Sequence, residues 1–194
     1  MNERRFNASL AHRLDDPARK ASLPSAQVIE ALALRSGESI ADVGAGTGYF
    51  SLPLAQAVGP HGKVYAVDAQ EEMLELLRKK LDESAPANVE LVHAEADDTR
   101  LPASSCDHFF IANVWHEFDD RAAVLREAAR VLRPGGRIAI LDWRPDVEPV
   151  AGPPLAHRIA CSHAADELRA AGFQKVATAN VGLYSWLMQG ERPR

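Results

Sequence analysis

Cysteine is scarce in this chain. Cys106 and Cys161 are the only two in 194 residues, far apart and outside any CxxC or CxxH spacing. That argues against a disulfide framework and leaves no zinc signature, so no metal is expected. Long apolar runs are also missing. None approaches the ~20 residues that span a bilayer, and the N-terminus lacks the apolar core of a secretory leader. Positive charge is not in excess either. The net charge of −5 offers no global attraction to nucleic acid or to an anionic membrane. There is no internal repeat and no low-complexity tract. These absences lead to the expectation of a soluble, cytoplasmic protein whose partners are neither nucleic acid nor membrane. What is present is ordinary for a globular domain: 46% apolar and 25% charged residues, in a chain long enough to bury one full core.

Residues 1–23 are polar and mixed, with Arg4, Arg5, His12, Arg13, Arg19 and Lys20 and no clean period. They read as a flexible or partly helical arm preceding a single domain over 24–194. Ser22-Leu23-Pro24-Ser25 punctuates the chain, and Val28, Ile29, Leu32, Ala33 and Leu34 follow at helical spacing up to Gly37. Strands are then expected at 39–43, 63–67, 89–93, 107–112 and 137–141. Helices are expected at 49–58, 71–81 and 121–132, the last stopped by Arg133-Pro134-Gly135-Gly136. Strands alternating with helices imply parallel βαβ units, and near-continuous apolar strands imply a sheet covered on both faces. The tail breaks the alternation. A helix at 163–171 is followed by strands at 173–181 and 184–189, joined by a link near Gly182 too short for a parallel crossover. The expected fold is therefore a doubly wound, mostly parallel, seven-stranded α/β sheet with one antiparallel strand at the C-terminal end. The Pro-rich segment 143–160 reads as a loop of a length that tends to be functional.

The sharpest motif follows the first strand: Asp42-Val43-Gly44-Ala45-Gly46-Thr47-Gly48. Three glycines between a strand and a helix let a ligand approach the main chain closely. In an open α/β sheet that spot is the carboxyl end of a strand, where ligands bind. A dinucleotide fingerprint would be GxGxxG, but position 49 is Tyr49, so this loop is GxGxG. Asp68 ends the second strand. A carboxylate there can accept both hydroxyls of an adenosine ribose, or simply cap the next helix.

Together these residues resemble the class I S-adenosylmethionine-dependent methyltransferases, particularly the small-molecule kind of types 11 and 25. The resemblance rests on residues 41–50, on Tyr65-Ala66-Val67-Asp68, and on Arg130-Val131-Leu132-Arg133-Pro134-Gly135-Gly136, in that order. It implies methyl transfer from S-adenosylmethionine to an unidentified small-molecule acceptor. It also implies residue roles. Asp42 and the loop at Gly44, Ala45, Gly46 and Gly48 would hold the amino acid end of the cofactor. Asp68 would take the ribose hydroxyls, with Ala69 and Met73 beside the adenine. The family usually shows Gly-Asp-Ala after the third strand. This chain has Ala94-Glu95-Ala96-Asp97-Asp98 instead, so Glu95 is the aligned acid for the adenine edge, Asp97 or Asp98 could serve in its place, and Ala96 lies beside them. Asn113 would line the floor near the methyl group. The polarity of the arm and its position before the first helix, rather than the resemblance, suggest a lid over the cofactor, with a solvated tail as the alternative.

Methyl transfer can draw much of its rate from holding the two reactants together, and a general base depends on the acceptor. Two histidines are candidate bases. His116 follows the fourth strand, though it could merely bond a loop or cap a helix. His157 sits in the Pro-rich loop, where a rigid connector is the alternative. Asp142 and Trp143, ending the fifth strand, could also face the acceptor. The rival readings are a module that binds S-adenosylmethionine without catalysis and, less well supported, a nicotinamide-dependent oxidoreductase.

Overall fold

A computed structural model describes residues 6–84, 86–148 and 152–194. Seven strands form one sheet: β1 (Ser39–Val43), β2 (Lys63–Asp68), β3 (Val89–His93), β4 (Cys106–Ala112), β5 (Leu132–Trp143), β6 (Gln174–Val181) and β7 (Ser185–Glu191). Their spatial order is β3-β2-β1-β4-β5-β7-β6. The first five pair in parallel, and β7 runs antiparallel to both β5 and β6. The expected single antiparallel strand is thus the last in the chain, yet it lies inside the sheet, with β6 at the edge.

Among the described residues six α-helices accompany the sheet: α1 (Pro17–Ser22), α2 (Ser25–Leu32), α3 (Ser51–Val58), α4 (Glu71–Ser84), α5 (Arg121–Val131) and α6 (Cys161–Ala170). Alternate residues of β4 show why both faces must be covered. Phe109 and Ile111 join a core with α5 and α6, whereas Phe110 and Ala112 join a second core with α2 and α3. On α5, Val124, Leu125, Ala128 and Val131 form the buried stripe. The Asp120 carboxylate caps its start, accepting from the Ala123 amide at 2.9 Å.

Most element ends differ from the sequence reading by one to three residues, and three of the differences have a local or tertiary reason. Helix α2 stops at Leu32 because Ala33 turns left-handed at φ 49°. The carbonyls of Ala31 and Ala33 are taken by Gln189 and Arg137 rather than by further helix. Helix α3 starts at Ser51, two residues late, which puts Pro53 at its third position, where a missing donor costs nothing. Strand β5 starts at Leu132, not Arg137. Leu132 pairs with Cys106 and Arg137 with His108, so Arg133–Gly136 bulge out between two bonded pairs.

The arm is partly helical, with a 3-10 segment over Ala8–Asp15 followed by α1. Arg4 and Arg5 lie outside the described residues, as do positions 149–151 of the 143–160 loop. That loop otherwise holds only a short 3-10 turn, Leu155–His157. Among the described residues no helix is long and apolar enough to cross a membrane. No group of three or more His, Cys, Asp or Glu side chains could hold a metal there.

Candidate active site

The strand order reverses between β1 and β4. The chain leaves β1 towards β2 and β3, then returns to the other side of β1. At that switch point the loops after adjacent strands diverge and leave a crevice. A cavity of about 340 Å³ fills it, a volume suited to a small molecule. Its walls come from the carboxyl ends of β1, β2 and β4, from the loop after β3, and from the arm.

Of the expected cofactor residues, Asp42, Gly44, Ala45, Gly46, Asp68, Ala69, Met73, Glu95, Ala96, Asp97 and Asn113 all line this cavity. Gly48 does not. Its φ is 83°, and a β-carbon there would lie 2.2 Å from Leu77 Cδ1. It is a packing glycine, letting the loop sit down on α4. Gly48→Ala should therefore cost about 2–3 kcal/mol, from left-handed strain plus the clash with buried Leu77. A lowered Tm with unchanged ligand affinity would bear this out, and weakened affinity at full stability would contradict it. Gly44 differs, because it lines the cavity at φ 75° and a β-carbon would meet Val114 Cγ2 at 2.6 Å.

The loop is held from below and behind. The Gly44 and Ala45 amides donate to the Val67 carbonyl at 2.8 and 3.0 Å. Asp68 Oδ2 accepts from the Gly46 amide at 2.8 Å, and Oδ1 from the Gln70 amide at 2.9 Å. Asp68 thus ties the loop to β2 as well as facing the cavity. Asp42 is buried, and its Oδ2 accepts from the Ser51 hydroxyl at 2.6 Å. Burial pushes the Asp42 carboxyl up to about 7, the Ser51 hydroxyl draws it back, and the charge of Asp68 adds to the rise. Asn113, at φ 59°, lines the floor, and its side-chain N and O are both buried with no hydrogen-bond partner. An unpaired buried amide beside a cavity is what a polar ligand would satisfy.

The arm crosses the cavity, contributing Phe6 and Leu14 to its lining. Lys80 of α4 fixes it by donating to both Asp15 oxygens at 2.7 Å and to the Thr47 carbonyl at 2.8 Å. At its other end the Phe6 amide donates to Glu117 Oε2 at 3.0 Å, and its carbonyl accepts from the Gln70 amide group at 3.1 Å.

The candidate bases fare differently. His116, in a 3-10 turn over Trp115–Glu117, is buried and does not line the cavity. Its Nδ1 lies 2.9 and 3.1 Å from the Asp142 oxygens, and its backbone amide donates to Asp142 Oδ2 at 2.9 Å. Burial alone would lower the imidazole, but the Asp142 hydrogen bond and the charges of Asp142 and Glu117 hold it above its ordinary value. Asp142 therefore faces His116 and not the cavity. Trp143 lies under the Arg158 guanidinium, 5.7 Å from its ring centre, and also lines no part of the cavity. His157 does not reach the cavity either, because Arg158 binds the carbonyls of Arg144, Val147 and Pro153 and braces this loop onto itself.

The group that does reach the cavity is one the sequence reading passed over. Glu117 lines it, with Oε1 4.0 Å from His116 Nε2. Burial pushes its carboxyl up to about 7, against the Phe6 amide and His116, with Asp142 and Asp68 adding to the rise. Its signal was a carboxylate beside a histidine, just past a strand end at the switch point.

Residues 40–136 match a methyltransferase domain family. The chain is 33% identical over 138 residues to a demethylmenaquinone methyltransferase of Listeria welshimeri, spanning 71% of this chain and 56% of that protein. It is 36% identical over 123 residues to a ubiquinone/menaquinone biosynthesis C-methyltransferase of Hahella chejuensis, spanning 63% of this chain and 49% of that protein. The chain thus aligns with about half the length of these relatives. A crystal structure of an S-adenosylmethionine-dependent methyltransferase from Aquifex aeolicus superposes with a TM-score of 0.91 at 32% identity, over 97% of this chain and 100% of the other. Sequence motif, strand order, crevice position and this match over whole chains agree, and the chain belongs to the class I S-adenosylmethionine-dependent methyltransferases.

Proposed function

We propose that this protein transfers a methyl group from S-adenosylmethionine to a small-molecule acceptor at the cavity over β1, β2 and β4. The observation that carries this reading is the cavity wall itself. Bare glycine backbone at Gly44 and Gly46, the unpaired Asn113 amide and the Asp68 carboxylate meet in one small cavity. Asp42 and the glycine loop would hold the amino acid end, Asp68 the ribose, and Ala69, Met73 and Ala96 the adenine, with Glu95 or Asp97 at its edge. Asp98 is absent from the wall. When bound, the cofactor supplies a methyl group activated by the sulfonium. The protein's part is to position both reactants and exclude water, for which the arm, pinned at Asp15 and Phe6, serves as lid. The relatives' names favour a quinone-type acceptor.

The described lining carries carboxylates at Asp42, Asp68, Glu95, Asp97, Glu117, Asp119 and Asp120 and no Lys, Arg or His. A phosphate backbone would be repelled there, which favours a small molecule over nucleic acid. The free thiols Cys106 and Cys161 suit a reducing cytoplasm.

A thermal-shift comparison tests the cofactor. A ligand at a hundred times its dissociation constant stabilises by ~2.7 kcal/mol, so S-adenosylhomocysteine should raise Tm and NADH should not. A response to NADH alone would overturn the assignment. Asp68→Asn should weaken the S-adenosylhomocysteine response about tenfold or more in affinity, the value of one charge-assisted hydrogen bond or more.

A further inference from the structure

We propose that Glu117 is the acid–base residue of this methyl transfer, with His116 and Asp142 as its positioning residues. The acceptor is then a neutral or cationic molecule that presents a hydroxyl or amine hydrogen. The proposal rests on the methyl-transfer reading above.

The geometry comes first. Asp142, His116 and Glu117 form a chain running from the end of β5 to the cavity, and of the three only Glu117 lines it. Asp142 Oδ1 also accepts from the Trp143 amide at 2.8 Å, which fixes the far end of the chain to the sheet. With Nδ1 committed to Asp142, the imidazole directs Nε2 towards Glu117. At the cavity end, Glu117 Oε2 accepts the Phe6 amide of the arm. A carboxylate held by the Phe6 amide at one oxygen and facing the imidazole at 4.0 Å from the other, just past the end of the fourth strand, is preorganised for proton transfer.

The surroundings give it a suitable proton affinity. The groups that face Glu117 are His116 from its own turn, Asp142 from β5, Asp68 from β2 and the Phe6 amide from the arm. Burial and the two carboxylates raise its affinity, while the amide and the imidazole lower it. The balance places its titration at about 7, where a carboxylate both takes and returns a proton readily.

Charge then selects the acceptor. An anionic acceptor would enter a cavity already carrying several carboxylates and no cation among its described lining residues, and like-charge juxtaposition of this kind costs several kcal/mol. A neutral phenol or hydroquinol, or an amine, meets no such barrier, and Phe6 and Phe118 add apolar wall for its body. In the transfer, the acceptor's lone pair forms the new bond to the methyl carbon as the carbon–sulfur bond breaks, its electron pair remaining on sulfur. The acceptor's proton passes to a carboxylate oxygen of Glu117 and from there to water when the lid opens. For an ammonium acceptor, the same carboxylate removes the proton before attack.

Two measurements on the full chain test this. Side-chain carboxyl shifts of the 13C-labelled protein, saturated with S-adenosylhomocysteine, are followed by NMR across pH, with Glu117→Gln identifying the resonance. A midpoint near neutrality is expected, and His116→Gln should move it. A midpoint in the ordinary carboxylate range, unmoved by His116→Gln, overturns the proposal. Labelled methyl transfer is then compared within matched pairs: hydroquinone against gentisate, and tyramine against 4-hydroxyphenylacetate. The neutral and cationic members should lead by at least tenfold in kcat/KM, with rates rising through the Glu117 midpoint. Glu117→Gln should lower the rate by about 10²–10⁴ while keeping the Tm gain from S-adenosylhomocysteine. Preference for the anionic members, no transfer to any other, or a wild-type rate in Glu117→Gln would each sink it. A wild-type protein with no Tm gain from S-adenosylhomocysteine would instead count against the cofactor reading, so the two failures are separable.

Discussion

Asp142→Ala should destabilise the protein by about 3–5 kcal/mol, the usual cost of removing one partner of a buried pair. For a chain of this size that is a Tm drop of about 6–20 °C. Asp142 is fully buried, and its two oxygens accept from the His116 and Trp143 amides and lie within hydrogen-bond distance of His116 Nδ1. Alanine leaves all three nitrogens without that acceptor in a site that water does not reach, and each unsatisfied group carries its own desolvation cost. It also removes the charge that holds the imidazole above its ordinary value. Asp142→Asn separates these effects. The amide oxygen can still accept from the backbone, so about 1.5–3 kcal/mol should be lost, the range for one charge-assisted bond. Urea titrations should show lower midpoints at unchanged slope for both variants, with alanine the worse. Equal losses would mean that charge alone matters, and a loss below 1 kcal/mol for alanine would mean that water replaces the carboxylate.

The contrast between His116 and Glu117 shows where sequence reading reaches and where it stops. Strand and helix identities were legible because burial imposes a period. Phe109 and Ile111 must face one layer and Phe110 and Ala112 the other, and that alternation is written in the residues themselves. The glycine loop and Asp68 were legible because a switch-point crevice makes demands of backbone freedom and charge that few residue types meet. Element ends were less legible. Helix α2 ends where Gln189 and Arg137, more than a hundred residues away, take its last carbonyls. Glu117 was missed for the same kind of reason. It reads as an ordinary surface acid until the fold buries it and brings the Phe6 amide, 111 positions earlier, onto its carboxylate. His116 drew attention by its chemistry, although Asp142, 26 positions on, engages its Nδ1 and the residue lines no part of the cavity. His157 drew attention by its loop. There Arg158, the next residue, gathers three carbonyls and pulls the loop onto its own backbone.

The ligand-free protein should lose stability as pH rises from about 4 to about 7, a window set by two cavity carboxylates. Asp42 and Glu117 both titrate at about 7 in the folded state, against 3.8 and 4.5 ordinarily. Between those limits the folded chain binds more protons than the unfolded one, so the slope of unfolding free energy against pH is negative. Their contribution is fully present below the unfolded values and is lost as pH rises through about 7. At about 1.4 kcal/mol per unit, Asp42 accounts for up to about 4–5 kcal/mol and Glu117 for up to about 3–4 kcal/mol, less in combination because the two share Asp68 as a neighbour. His116 acts in the same direction, since its raised affinity adds stability that disappears above its folded value. Two groups act oppositely. Burial holds His108 below its ordinary 6.5, so it adds stability as pH rises towards that value and partly offsets the fall. Glu127 is held low by Arg130 and Thr99 despite burial, and its contribution is lost only in acid below this window. Calorimetric Tm values from pH 5.5 to 8.5 should therefore fall in ligand-free protein. Asp42→Asn should flatten the fall and exceed wild type at pH 8, because its amide still accepts from Ser51 without asking a buried site to hold a charge. A cationic sulfonium offsets that charge directly, so the Tm gain from S-adenosylmethionine should grow with pH across the same window. A wild-type Tm that rises or stays level from pH 6 to 8 would show that both carboxylates ionise freely in the folded protein.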